Sequence, residues 1–309
     1  MGGIVVLSGG VGGARFLRGL VAVVEPSDVT AVVNVGDDLE ILGLYVSPDL
    51  DSVLYTLAGV ADEERGWGRA GETWRALEEA GRAGGETWFR LGDRDIGLHL
   101  VRTEALRAGE PLSSVTARLA RAFGLRANLL PATDDSLRTW LETADGAVPL
   151  QDWFVRRAQQ GEIDSVRFEG ADAARAAPGV LDAIDGAELI LIAPSNPYIS
   201  VWPILAVQEI RRALERRRVP CIAVSPLIGG RALKGPADRM LARLAGGTTP
   251  SHVAACYEGL IDALVVDEAD GAELNGLPVR AIVTRTLMSD EQSRRALATA
   301  AIEAGAMSR

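Results

Sequence analysis

The feature that most constrains this chain is a series of short apolar runs that lack polar alternation. They are Ile4–Leu7, Thr30–Val35, Glu188–Ala193, Val219–Val224, Ala263–Val266 and Val279–Val283. A strand with one wet face alternates apolar and polar residues, whereas a strand buried on both faces does not. Amphipathic, helix-like stretches separate several of these runs, the first from about Gly13 to Val24. Buried strands joined by helices require a mostly parallel sheet with helices on both faces, so the chain reads as an α/β, Rossmann-like fold.

Residues 50–185 interrupt the pattern. Asp95–Arg107, Ser113–Phe123 and Asp152–Gln159 look helical, while Arg138–Thr143 and Ser165–Phe168 suggest a small antiparallel patch. We therefore expect a single domain over residues 1–309, with a mainly helical insertion at about 50–185 over the C-terminal edge of the sheet. The formal net charge of −10 argues against nucleic acid and anionic membranes as partners. No run is long enough to span a bilayer and no basic-plus-apolar leader is evident, so a cytoplasmic location is expected. Two cysteines, Cys221 and Cys256, do not make a disulfide framework.

Candidate site residues cluster at the ends of the expected strands, where open α/β sheets bind ligands. Ser8-Gly9-Gly10-Val11-Gly12-Gly13 follows the first strand, and its amides at a helix start could cradle phosphate. The same turn could equally join strand and helix with no ligand. The third glycine of the dinucleotide fingerprint is missing and no Gly-Lys-Ser/Thr follows, so it is neither common nucleotide loop. Asp37 and Asp38 follow the second strand, with Asp49 and Asp51 close behind. Such a group of carboxylates suits a hard cation such as magnesium, although Asp49 or Asp51 could simply start a helix. Pro194-Ser195-Asn196-Pro197 and Ser225-Pro226-Leu227-Ile228-Gly229-Gly230 end two later strands. His99 stands alone inside a helix, where packing explains it as well as catalysis does, and there is no His/Cys zinc pattern. Five of the six tryptophans fall in the insertion, where one could stack on a flat substrate or serve the core.

These turns, together with Asn34-Val35-Gly36-Asp37-Asp38, Ser47-Pro48-Asp49-Leu50-Asp51, Arg65-Gly66-Trp67-Gly68 and Leu91-Gly92-Asp93-Arg94-Asp95, resemble the 2-phospho-L-lactate transferases of coenzyme F-420 biosynthesis, in order across nearly the whole chain. The resemblance implies that a phospho-organic acid (2-phospholactate or phosphoenolpyruvate) moves from its guanosine diphosphate conjugate to the ribityl hydroxyl of the deazaflavin Fo, releasing GMP. Magnesium and a homodimer are implied as well. In this family the aspartate matching Asp51 and the basic residue matching Arg90 contact the deazaflavin. Asp38 and Asp51 are then expected to hold the metal or orient the hydroxyl, with Asp37 as a further ligand. Ser8, Gly9, Gly10, Gly12, Gly13, Gly229 and Gly230 are expected around the nucleotide phosphate, and Ser195 and Asn196 beside the deazaflavin. Asp51→Asn is expected to abolish transfer with the fold intact, and Gly12→Val to block the phosphate.

Two alternatives share the opening turn. A nicotinamide-dependent oxidoreductase would need the full glycine fingerprint, which is broken here. A nucleotide-sugar-binding regulator of the related gluconeogenesis-factor family would lack a use for Arg65–Gly68 and Leu91–Asp95.

Overall fold

A computed structural model describes residues 3–308. Its centre is a seven-stranded sheet: β1 (Gly3–Ser8), β2 (Val29–Val33), β3 (Asn128–Pro131), β4 (Ala187–Ile192), β5 (Cys221–Val224), β6 (Ala263–Asp267) and β7 (Arg280–Thr284). The strands lie in the order β7-β6-β5-β4-β1-β2-β3, and every neighbouring pair is parallel. Alternate residues of each central strand enter different cores. Val5 and Leu7 join Ile190, Ile192 and Ala223 on one face, while Ile4 and Val6 join Leu189, Leu191 and Ile222 on the other. Both faces are dry, which is why these strands show no alternation in the sequence.

α1 (Gly10–Leu20) follows β1 directly and packs on α2 (Pro48–Leu57) and on the helix Glu291–Ala306. α3 (Arg75–Arg82), α4 (Asp93–Arg107) and α5 (Leu112–Ala122) complete the helical part of residues 50–185. That stretch is not one insertion, however, because β3 lies within it and forms the edge of the main sheet beside β2. Asn128-Leu129-Leu130-Pro131 holds too few apolar residues to stand out, and its proline is tolerated at an edge. The expected antiparallel patch is present and gains a third strand: Arg138–Thr143 lies between Gly146–Pro149 and Ser165–Glu169. The helix expected at Asp152–Gln159 is a short π-helical turn, Asp152–Arg156. No helix among the described residues is long and apolar enough to cross a membrane.

Strand order reverses between β1 and β4, since β1 leads to β2 on one side and β4 begins the run to β7 on the other. The crevice beyond the carboxyl ends of β1 and β4 is the switch point at which such sheets take ligands.

Candidate active site

Asn34, just past β2, organises this crevice. It is fully buried, and its Nδ2 donates to Asp49 Oδ2 (2.9 Å), to the Ile199 carbonyl (3.1 Å) and to Asp37 Oδ1 (3.3 Å). Its Oδ1 accepts from the Gly36 amide at 2.7 Å, which curls the chain so that Asp37 and Asp38 turn inward. Asp37 Oδ2 accepts from the Asp49 amide at 3.1 Å and so fixes the start of α2. Asp38 Oδ2 accepts from the Tyr45 hydroxyl (2.8 Å) and from Ser47 Oγ (3.1 Å), while its buried Oδ1 has no partner.

Three carboxylates are thus packed into a dry space. Burial, followed by the charges of Asp49 and Asp38, pushes Asp37 well above the ordinary carboxylate range. Burial raises Asp49 to about 6, although Asn34 and the Gly10 amide pull it back. Burial raises Asp38 to about 7, against the opposing pull of Arg138 and the Tyr45 hydroxyl. Like charges this close do not all ionise, so the cluster either retains a proton near neutrality or requires a cation.

Asp51 lies elsewhere. Its carboxylate is gripped by both terminal nitrogens of the buried Arg102, with Nη1 at 3.0 Å from Oδ2 and Nη2 on Oδ1. Arg102 Nη1 also lies 3.2 Å from His99 Nδ1. Burial lowers His99 to about 4, which keeps the imidazole neutral beside the guanidinium. Asp51 is therefore an ion-pair partner of α4 and not an open metal ligand. Asp51→Asn would strip the buried Arg102 of its counter-charge, so the ion pair sets a stability cost against the expectation that this change spares the fold.

The glycines of the first turn serve close packing as much as ligand approach. Gly10 begins α1 at a φ of +67°, which excludes most side chains. A Cβ on Gly12 would lie 2.5 Å from the Pro194 carbonyl oxygen, and one on Gly13 would strike the hydroxyls of Ser8 and Ser195. Gly12→Val would therefore part α1 from the turn after β4 and would not merely obstruct phosphate. Ser195 Oγ donates to the Gly9 carbonyl (2.6 Å) and accepts from the Gly9 amide (3.4 Å), which ties the two turns together across the crevice. Asn196 is committed to the protein, with Oδ1 accepting from the Tyr198 amide at 3.0 Å and Nδ2 on Met240 Sδ at 3.3 Å. Helix α1 has no side-chain cap and no acid in its first turn, so its positive end stays available except where Asp49 takes the Gly10 amide.

Gly229 and Gly230 form the two-residue tip of a hairpin between Leu227–Ile228 and Arg231–Ala232, both with positive φ. Their amides donate to Asp270 at 3.0 and 2.8 Å. A protein carboxylate thus holds the position expected for phosphate. Arg90 is exposed and stacks on Trp74 at 4.5 Å, on the wall of a groove of about 450 Å³ that Leu77, Glu78 and Thr87 also line. Arg65 also lies over the Trp74 ring, with its Cζ 5.0 Å from the ring centre. Leu91–Asp95 is a clamp: Asp93 accepts from Thr73 Oγ1 and from the Ala76 amide, and Glu72 accepts from the amides of Arg94 and Asp95.

The sequence reading missed Asn34 as the organiser, and missed Arg102 and Arg138. Asp49 was counted among the acids suited to a cation, or as a helix start, but was not carried into the expected site. Among the described residues, no three acidic, His or Cys side chains gather as a ready metal cage.

The comparisons agree with this architecture. The sequence model of the family described as 2-phospho-L-lactate transferase CofD matches residues 4–304. A phosphoenolpyruvate transferase of Nocardia farcinica is 45% identical over 292 residues, covering 90% of this chain and 88% of the relative. Phosphoenolpyruvate transferases of Streptomyces griseus and Mycolicibacterium smegmatis are 42% and 41% identical, covering 97% of both chains and 99% of both chains respectively. A crystal structure of a UPF0052 family member from Bacillus halodurans superposes with a TM-score of 0.65 at 20% identity, over 97% of this chain and 98% of that one, which bears on the fold alone. Because the family match runs from the first strand of the sheet into its last helix, with relatives aligned across nearly their whole length, this chain belongs to the 2-phospho-L-lactate transferase CofD family and is a transferase of coenzyme F-420 biosynthesis.

Proposed function

We propose that the protein transfers a phospho-organic-acid group from its guanosine diphosphate conjugate to the terminal ribityl hydroxyl of the deazaflavin Fo, with release of GMP. The observation that carries this reading is the buried Asp37–Asp38–Asp49 cluster at the switch point, held by Asn34 beside the uncapped start of α1. The acid is proposed to derive from phosphoenolpyruvate, following the name of the relatives.

Phosphoryl-type transfer asks an enzyme to position groups and offset charge more than to form covalent bonds. A diphosphate brought to three carboxylates needs a cation between them. Of the residues expected to bind magnesium, Asp38 fits, because its Oδ1 is buried and unsatisfied. Asp37 is engaged by Asn34 and the Asp49 amide, and Asp51 by Arg102. Magnesium commonly takes one or two carboxylates and completes its shell with water and phosphate, so Asp38 and the substrate would hold it there, where it would offset the diphosphate charge. Asn34, the Asp49–Gly10 contact and the Ser195–Gly9 bonds keep the crevice in shape around the reactants.

The test is incubation with Fo, magnesium and, separately, guanylylated phosphoenolpyruvate or guanylylated phospholactate, followed by mass analysis. A phosphodiester of Fo together with GMP is the expected product, more abundant with the phosphoenolpyruvate conjugate. Tight binding of a nucleotide sugar with no turnover of Fo would overturn the proposal.

A further inference from the structure

The charges of two buried or half-buried arginines, Arg138 and Arg102, reach Asp38, and the two are held differently. Arg102 is locked to Asp51 through both terminal nitrogens. Arg138 is placed by the small antiparallel sheet, whose strand Arg138–Thr143 docks on the β2 turn through the Thr139 amide and the Gly36 carbonyl (2.8 Å). There it feels the charges of both Asp38 and Asp37. Even so, no carboxylate oxygen of the described residues lies within 4.0 Å of its guanidinium. Its Nη1 donates to the Leu137 carbonyl at 2.9 Å, its Nη2 reaches the Tyr45 hydroxyl at 3.4 Å, and its Cζ lies 5.5 Å from the Tyr45 ring centre.

A guanidinium carries five N–H donors in a planar fork suited to paired oxyanion oxygens. Beside an acid cluster such a fork ordinarily closes on a carboxylate, as Arg102 does. At Arg138 one face rests on an aromatic ring and part of the fork stays unused. A guanidinium with unengaged N–H donors, set beside acids that it does not pair with, is open to an anionic oxygen group.

We propose that Arg138 is a catalytic residue of the transfer, its guanidinium receiving the non-bridging oxygens of the phosphoryl group as it moves to the acceptor. The proposal rests on the transferase reading above. In the step it serves, the acceptor hydroxyl oxygen bonds to phosphorus and the bridging P–O bond to guanylate breaks. GMP leaves with the bonding pair, and the hydroxyl proton passes to water. Charge on the equatorial oxygens then meets a cation already in position, which is where fixed electrostatics contribute most.

The test uses the whole protein with Arg138→Gln, Arg138→Lys and Arg138→Ala. Arg138→Gln should lower kcat by roughly a hundred- to a thousandfold with little change in KM for Fo. Arg138→Lys should retain an intermediate rate and confirm that the fold tolerates the position. Millimolar guanidinium should restore part of the Arg138→Ala rate, an effect that a purely structural prop for Tyr45 would not show. Calorimetry with pyrophosphate in the presence of magnesium gives an arm independent of turnover: wild type should bind at least tenfold more tightly than Arg138→Gln. Unchanged kcat, a change in KM alone, absence of guanidinium rescue, or pyrophosphate binding that is equal in both proteins or missing from the wild type would each overturn the proposal. Should wild type fail to turn over either guanylylated acid, the transferase reading falls, and the pyrophosphate arm alone decides whether Arg138 holds an oxyanion.

Discussion

Asp38→Asn should make the metal-free protein more stable while abolishing transfer. Asp38 is 3% exposed, and burial moves its carboxyl from an ordinary 3.8 to about 7. Each pH unit of separation between folded and unfolded values is worth about 1.4 kcal/mol, so ionised Asp38 costs the folded state roughly 4 kcal/mol at alkaline pH. The sign follows from the direction of the shift. A carboxyl raised on folding contributes its stability in full below the unfolded value, and that stability is lost as pH rises through the folded value. Asparagine is neutral throughout, can still accept from Tyr45 and Ser47, and relieves Asp37 of a repelling neighbour.

The two proteins should therefore match near pH 4, and the variant should lead increasingly up to pH 7 and by a constant margin above it. Urea unfolding in a chelating buffer from pH 4 to 8.5 measures the gap directly. Adding magnesium should then raise the stability of wild type and leave the variant nearly unmoved, because only the carboxylate gives the ion a charged ligand. A variant that is less stable than wild type at pH 8, or a gap that does not change with pH, would refute the electrostatic reasoning. An equal response of both proteins to magnesium would remove Asp38 from the proposed metal site.

Two further predictions concern the neighbouring ion pair. Arg102→Met should destabilise the protein by about 3–5 kcal/mol, because it leaves the Asp51 carboxylate buried and unpaired, while adding Asp51→Leu should recover part of the loss; equal stability of the single and double variants in denaturant titration would contradict this. His99, held at about 4 against an ordinary 6.5, should cost about 3 kcal/mol of stability between pH 6.5 and 4, because the unfolded chain takes up a proton that the folded site refuses. His99→Gln should flatten that limb of the stability profile, and an unchanged acid slope would show that the histidine does not titrate as its burial demands.

What could be read from the sequence follows from where each interaction lies along the chain. The central strands were legible because burial on both faces leaves its mark within a few consecutive residues. β3 was not, since an edge strand of four residues carries too little apolar signal and is recognised only by its pairing with β2. The glycine turn was legible as a link between strand and helix. Whether a glycine faces ligand or protein was not, because the Pro194 carbonyl that Gly12 avoids is distant in sequence. Asp49 and Asp51 show the limit most clearly. They sit two residues apart in the first turn of α2, and residues so spaced point to opposite sides of a helix. One therefore faces Asn34 in the crevice and the other faces Arg102 on α4, while a list of acids in order cannot say which. The charge inventory nevertheless held a clue. Asp37, Asp38 and Asp49 fall in motifs that contain no basic residue, and a dry pocket cannot keep three carboxylates without protons, a metal or cations supplied by another element. The small antiparallel sheet supplies such a cation in Arg138, and its docking on the β2 turn places that guanidinium beside the acids.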